Sequence, residues 1–256
     1  MLIAQISDTH IVLPSGHEEI ETSNNRLENL RKCVKDIKSL TPAPDIIIHT
    51  GDVTHSGKKE EYEIVKSIFD DLDIPIFYTP GNRDNRVNLK NVLNKKNVVF
   101  ADNKHLIYGV EFIDFNIISM DTHCEDCSKG DLSEEKLDLL SKTLNEFKEK
   151  PFFIFMHHPP FNVSKTVNQA YEIHKKENVI EFSKLIKNHK KLFGVFSGHI
   201  HRNYYSKIGN VFACSMPSIA IDLSWESFPK KRLNKTQYLL HTYKESIGLK
   251  SEKRWA

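Results

Sequence analysis

Short runs of β-branched and aromatic residues alternate along this chain with longer segments in which apolar positions recur every three or four residues. The short runs predict strands at residues 2–6, 45–49, 75–79, 115–120, 152–156, 193–197 and 211–214. Between them, Leu27, Leu30, Val34 and Ile37 share one face of a helix, as do Tyr62, Val65 and Ile68 or Phe69. A third stripe, Leu137, Leu140, Leu144 and Phe147, follows Ser133, Glu134 and Glu135, which suit the positive end of a helix. All three stripes read as core-facing surfaces. Strands joined by crossover helices make the fold class α/β. Residues 230–256 are richer in charge, and residues 251–256 read as a solvated tail.

With 256 residues and 39% hydrophobic content, the chain can build one sizeable core, so a single domain over residues 1–256 is expected. Residues 222–256 are read as a segment that caps a site or joins subunits in a homo-oligomer, a choice the sequence leaves open. The 36 Lys and Arg nearly balance the 34 Asp and Glu. No broad positive field then recruits nucleic acid or an anionic membrane, and anion binding is expected to be local. The first apolar run gives way at once to Ser7-Asp8-Thr9-His10, which leaves no room for a signal peptide. The longest apolar runs, such as 152–156, are far shorter than the roughly 18 residues of a membrane span, so a soluble, cytoplasmic protein is expected. Cys33, Cys124, Cys127 and Cys214 are too few for a disulfide framework, and Cys124 and Cys127 read as two loop thiols.

The chemistry lies at the carboxyl ends of the strands, where ligands of open α/β sheets collect. The first strand runs into Asp8-Thr9-His10, the second into Gly51-Asp52 and the third into Gly81-Asn82-Arg83-Asp84. Strand 152–156 runs into His157-His158-Pro159-Pro160, and strand 193–197 into Gly198-His199-Ile200-His201. One such motif is weak, since an isolated histidine is usually a core or surface group. Five strand ends converging on carboxylate, imidazole and amide side chains make a metal site. Glycine before Asp52, Asn82 and His199 allows a sharp turn and a close approach to a bound group. Nitrogen and oxygen donors without thiolate suit manganese, iron, cobalt or catalytic zinc better than a closed structural zinc site.

Taken in this order, Asp8-x-His10, Gly51-Asp52, Gly81-Asn82-x-Asp84, His157-His158-Pro159 and Gly198-His199-x-His201 resemble the calcineurin-like metallophosphoesterases. Within them the chain looks like the class III cyclic nucleotide phosphodiesterase and glycerophosphodiesterase branch, over about residues 1–220. The resemblance implies a four-layer αββα sandwich with a dinuclear site at its edge. Carried over by motif, Asp8, His10, Asp52 and His201 would hold one metal, and Asp52, Asn82, His157 and His199 the other. It implies two divalent ions, iron or manganese first and zinc or cobalt as alternatives, with a metal-bound hydroxide attacking phosphorus. Asp84 would orient a ligand or the turn. His157 is assigned to metal and His158 to the surrounding shell or substrate pocket, with the two open to exchange.

The family usually has histidine after the glycine and asparagine of the third motif, where it is proposed to bind phosphate or protonate the leaving group. Here stands Arg83. An arginine stays charged at ordinary pH and cannot surrender a proton, yet it can clamp phosphate with two parallel hydrogen bonds. The alternative is a solvated turn arginine. His55 is near enough to Asp52 to reach the shell of the site, and His123 is a candidate for substrate contact only.

The expected reaction is hydrolysis of a small phosphodiester, with a 3′,5′-cyclic nucleotide such as cAMP first and a glycerophosphodiester second. A phosphomonoesterase would use the same ligands with extra positive groups. A nuclease should show a basic, aromatic groove, for which Lys230-Lys231-Arg232 with Trp225 and Phe228 is the one small cluster. A non-catalytic scaffold would be free to lose ligands, and every ligand position here holds a competent side chain. Loops 162–177 and 221–234 are expected to set substrate choice.

Overall fold

Two β-sheets carry the five motifs at their strand ends. The computed structural model describes residues 1–14, 17–92, 97–163, 173–223 and 235–256. Strands β1 (Leu2–Ile6), β2 (Ile46–His49) and β3 (Ile76–Tyr78) run parallel, linked by α1 (His17–Lys38) and α2 (Lys59–Phe69). The chain crosses through α3 (Arg86–Val92) to β4 (Val98–Phe100), β5 (Tyr108–Glu111) and β6 (Asn116–Met120). Helix α4 (Glu134–Phe147) leads to β7 (Phe152–Met156), and α5 (Lys176–Ile186) leads to β8 (Leu192–Ser197). Strands β9 (Tyr204–Ile208) and β10 (Val211–Ser215) come next, and β11 (Gln237–Lys244) and β12 (Gly248–Trp255) return to the first sheet. The sheet orders are β12-β11-β1-β2-β3 and β4-β5-β6-β7-β8-β10-β9.

The unbroken apolar run of β7 has a physical reason: both faces of its sheet are covered. Side chains alternate along a strand, so Phe153 and Phe155 enter the core shared with the first sheet. Phe152, Ile154 and Met156 point the other way and join Leu140 and Leu144 of α4 and Phe182 and Ile186 of α5. Leu30, Val34 and Ile37 of α1, with Tyr62 and Val65 of α2, pack in the core of the first sheet. The layers are helix, sheet, sheet, helix, which is the expected α/β sandwich.

Residues 251–256, expected as a solvated tail, instead lie largely in β12, which pairs antiparallel with β11 from Gln237–Trp255 to Lys244–Gly248. Ala256 N–H donates to the Thr236 carbonyl at 2.9 Å. The charges misled because β12 is an edge strand, and exposed Lys250 and Glu252 are what such an edge carries. Strands β4, β5, β9 and β11 and helices α3 and α5 also lacked a clear pattern. Among the described residues no helix is long and apolar enough to cross a membrane. Trp225, Phe228, Lys230, Lys231 and Arg232, and most of both loops expected to set substrate choice, lie outside the described residues.

Candidate metal centre

The carboxyl ends of β1, β2, β3, β7 and β8 meet at one edge of the two sheets. Six non-glycine residues among those described have positive φ, and five of them are Asp8 (52°), His10 (44°), Asp52 (50°), His199 (70°) and His201 (49°). That conformation is unfavourable for residues with a Cβ and persists only where surrounding structure enforces it. The enforcement is partly backbone pairing between motifs: Asp8 N–H donates to the Gly51 carbonyl at 2.9 Å and His10 N–H to the Asp52 carbonyl at 3.0 Å.

Gly51 makes the sharp turn expected of it, with a φ of 91°, while Gly81 and Gly198 allow the motifs to pack closely. A Cβ on Gly81 would overlap Asp52 Oδ1, and one on Gly198 would overlap Ser7 Oγ and fall 2.6 Å from Asp8 Oδ2. The space denied to a side chain is filled by a neighbouring motif.

All seven expected ligands lie together, in two groups. In the first, His201 Nε2 is 3.2 Å from both Asp8 Oδ1 and His10 Nε2, and His10 Nε2 is 3.6 Å from Asp52 Oδ2. In the second, His157 Nε2 lies 3.1 Å from His199 Nδ1, 3.2 Å from Asn82 Oδ1 and 3.5 Å from Asp52 Oδ1. Asp52 therefore turns one oxygen to each group. Donor atoms bonded at about 2.1 Å to one ion stand roughly 3 to 3.5 Å apart, and these spacings are close to that. Asp8 Oδ1 is buried with no hydrogen-bond donor, while Oδ2 accepts from Ser7 Oγ at 2.5 Å and His199 N–H at 3.0 Å. A buried carboxylate oxygen without a donor calls for a cation. The residues present fit a pair of divalent ions.

Asp84 ties the motifs together. Its Oδ1 accepts from Tyr62 Oη at 2.8 Å and Thr54 N–H at 3.2 Å, and its Oδ2 from Gly81 N–H at 2.9 Å and Val53 N–H at 3.2 Å. Burial, with the Asp52 charge adding, pushes its carboxyl up to about 7. Over the donor atoms opens a cleft of about 320 Å³ lined by His55, Asn82, Arg83, Ser128 and Leu223 as well as His10, His199 and His201. Arg83 is exposed there, and its guanidinium has no ion-pair partner among the described residues. His158 is fully buried and outside this lining: its Nδ1 lies 2.9 Å from Thr122 Oγ and its Nε2 3.2 Å from the Ser128 carbonyl. Its position favours the shell over the substrate pocket. His123 does not line the cleft, whereas His55 does.

The calcineurin-like phosphoesterase family profile matches residues 1–203. The chain belongs to the calcineurin-like phosphoesterases. Across 97% of its length it is 32% identical to 91% of a protein of Arcobacter nitrofigilis named as a probable glycerophosphodiester phosphodiesterase GpdQ. It is 28% identical, over 88% of its length and 80% of the relative's, to a 3′,5′-cyclic-nucleotide phosphodiesterase of Nostoc sp.. In fold it is similar to a dimetal phosphatase of Danio rerio, with a TM-score of 0.65, 13% identity and 98% coverage of both chains.

Electrostatics divide the phosphoesterase's histidines into two kinds. Burial pulls the His157 imidazolium down, but the Asp52 and Asp8 carboxylates and the Thr50 carbonyl together hold it up at about 9. His201 is likewise raised, with Asp8, the Leu223 carbonyl and Asp52 together overcoming burial. Burial pushes His10 down to about 4, against the pull of Asp52 and Asp8. His199 falls well below the usual range through burial and the neighbouring His158 and His157.

Several contacts of the phosphoesterase's site had no signal in the sequence. The Thr50 carbonyl lies 2.7 Å from His157 Nδ1, and the Leu223 carbonyl 2.8 Å from His201 Nδ1, which leaves each Nε2 for the centre. A carbonyl belongs to every residue type, so no motif marks it. Ser128 stands in a loop where Cys124 and Cys127, expected as free thiols, are joined as a disulfide.

Proposed function

We propose that this phosphoesterase hydrolyses a small phosphodiester, a 3′,5′-cyclic nucleotide as first substrate class and a glycerophosphodiester as second. The observation that carries the reading is Asp52, whose two oxygens face two separate donor groups beneath one open cleft. Asp8, His10, Asp52 and His201 would hold one ion, and Asp52, Asn82, His157 and His199 the other, iron or manganese ahead of zinc or cobalt. When bound, two such ions stabilise charge on entering and leaving oxygens and lower the pKa of water to about 7.

The chain's own groups do the rest. Asn82 lies both among the donors and on the cleft wall, so it aligns the phosphate with them. Arg83, exposed at the rim, clamps two non-bridging oxygens as charge grows on phosphorus. It keeps its protons, so the leaving oxygen takes one from water. His158 acts through Thr122 and Ser128, holding the loop that forms one wall. Asp84 holds the turns that carry Asp52 and Asn82.

Diesters are favoured over monoesters by charge. Arg83 is the sole Lys or Arg among the described residues lining the cleft, enough for the single charge of a diester and sparse for a dianion. The names of the relatives, glycerophosphodiester and cyclic-nucleotide phosphodiesterases, support the same ranking. Turnover of bis(p-nitrophenyl) phosphate against p-nitrophenyl phosphate by manganese-loaded protein, followed by cyclic nucleotides and glycerophosphodiesters, tests it. Faster turnover of the monoester would overturn the diester reading, and no turnover of either would favour a scaffold.

A further inference from the structure

The family profile ends at residue 203, yet a segment beyond it grips one half of the site. Ser218 Oγ donates to the Asp8 carbonyl at 2.7 Å, and Ile219 N–H donates to the Ser7 carbonyl at 3.1 Å. A short 3-10 turn, Ile221–Leu223, comes next. Its Leu223 carbonyl accepts from His201 Nδ1, and its Asp222 carboxylate pairs with Arg26 of α1, with Nη2 to Oδ2 at 2.8 Å and Nε to Oδ2 at 3.1 Å. Arg26 is only 6% exposed, and its Nη1 donates to the His10 carbonyl at 3.0 Å. Thus Asp8, His10 and His201 are each held, directly or through Arg26, by residues 218–223. No hydrogen bond from this segment reaches Asn82 or His157 among the described residues, and His157 leans on Thr50 instead.

We propose that Arg26 and Asp222 form a positioning pair that sets metal affinity at the Asp8–His10–His201 position and leaves the other position alone. The proposal rests on reading the site as a holder of two ions. The physical argument has two parts. His10 sits at a positive φ of 44°, and the Arg26 hydrogen bond to its carbonyl helps hold that strained backbone. Arg26 also places a buried positive charge close to where a cation would bind, and Asp222 offsets that charge while aiming the guanidinium. Losing Asp222 therefore loosens His10 and leaves a repulsive charge beside the ion.

The test is a Co²⁺ titration of the metal-free protein without substrate, followed by visible absorption and by calorimetry. It compares wild type with Asp222→Asn, Arg26→Met and Asp222→Glu. Wild type should take up two equivalents. In Asp222→Asn and Arg26→Met, one equivalent should keep its affinity and the other weaken about 10- to 100-fold, the usual effect of losing a group that orients a ligand. Asp222→Glu, which keeps the charge, should recover most of the loss. Side-chain exposure of Asp222 is 41%, so the Asn variant should fold, and its circular dichroism melt checks this. Unchanged affinity of both equivalents, or equal weakening of both, would overturn the positioning role. A wild type that binds fewer than two equivalents would overturn the two-ion reading itself.

Discussion

Arg83 N–H donates to Asp52 Oδ1 at 2.8 Å, so the backbone of the third motif holds the carboxylate that faces both donor groups. The Arg83 side chain is left free for the cleft. One residue then has two separable duties, and side-chain substitution should remove only the second.

Arg83→Ala should accordingly keep its metal content and melting temperature. Loss of a charged hydrogen bond to phosphate is worth about 1.5 to 3 kcal/mol, so kcat/KM for bis(p-nitrophenyl) phosphate should fall roughly 10- to 150-fold. Steady-state kinetics check this, and unchanged kcat and KM would reject the clamp.

Asp84 should matter for stability before it matters for rate. Asp84→Ala leaves the N–H groups of Gly81, Val53 and Thr54 without their acceptor in a buried turn. Each orphaned buried group costs about 1 to 3 kcal/mol, so the total should exceed about 2 kcal/mol in urea unfolding. Tyr62→Phe removes one of the four bonds and should cost about 1 kcal/mol. A neutral Asp84→Ala would show that the turns hold themselves.

Metal uptake should release protons, and more of them at pH 7 than at pH 9.5. In the metal-free protein His157, raised to about 9 beside Asp52, carries a proton at pH 7, and Asp8 raises His201 in the same direction. His10 and His199, both lowered, are already neutral. An ion needs the unprotonated nitrogen, so affinity should weaken as pH falls below 9 and level off above it. Calorimetry in buffers of different ionisation enthalpy counts the protons. Equal release at the two pH values would contradict the assignment of charge.

Gly198→Ala should cost an ion without replacing any of the expected ligands. The added Cβ would overlap Ser7 Oγ and meet Asp8 Oδ2 at 2.6 Å, forcing Asp8 away from His201. Metal analysis should find less than the wild-type content, most plainly in the position shared by Asp8, His10 and His201. Full occupancy would mean that the two motifs can separate at little cost.

The cluster of candidate donors was legible because its chemistry is local: a strand followed at once by Asp-x-His, Gly-Asp, Gly-Asn-x-Asp, His-His or Gly-His-x-His announces its end and its polar side chains together. The buried strands were legible for the same reason, since alternate side chains of residues 152–156 must enter two different cores and leave no polar position. Where polarity did not follow structure, the pattern failed. β12 is charged because it is an edge, and its backbone pairing with β11 leaves no mark on residue type.

The sequence by itself thus determined the α/β class, the apolar runs and stripes that build its core, and which carboxylate, imidazole and amide side chains end its strands. Only the tertiary structure decided which histidine of the adjacent pair meets Asp52: His157 Nε2 lies 3.5 Å from Asp52 Oδ1, while the ring nitrogens of His158 lie against Thr122 and Ser128. It also decided that Arg26, which belongs to no motif, is buried against Asp222, 196 residues away. Such pairings depend on which surfaces the fold brings together, and residue spacing along the chain carries no record of them.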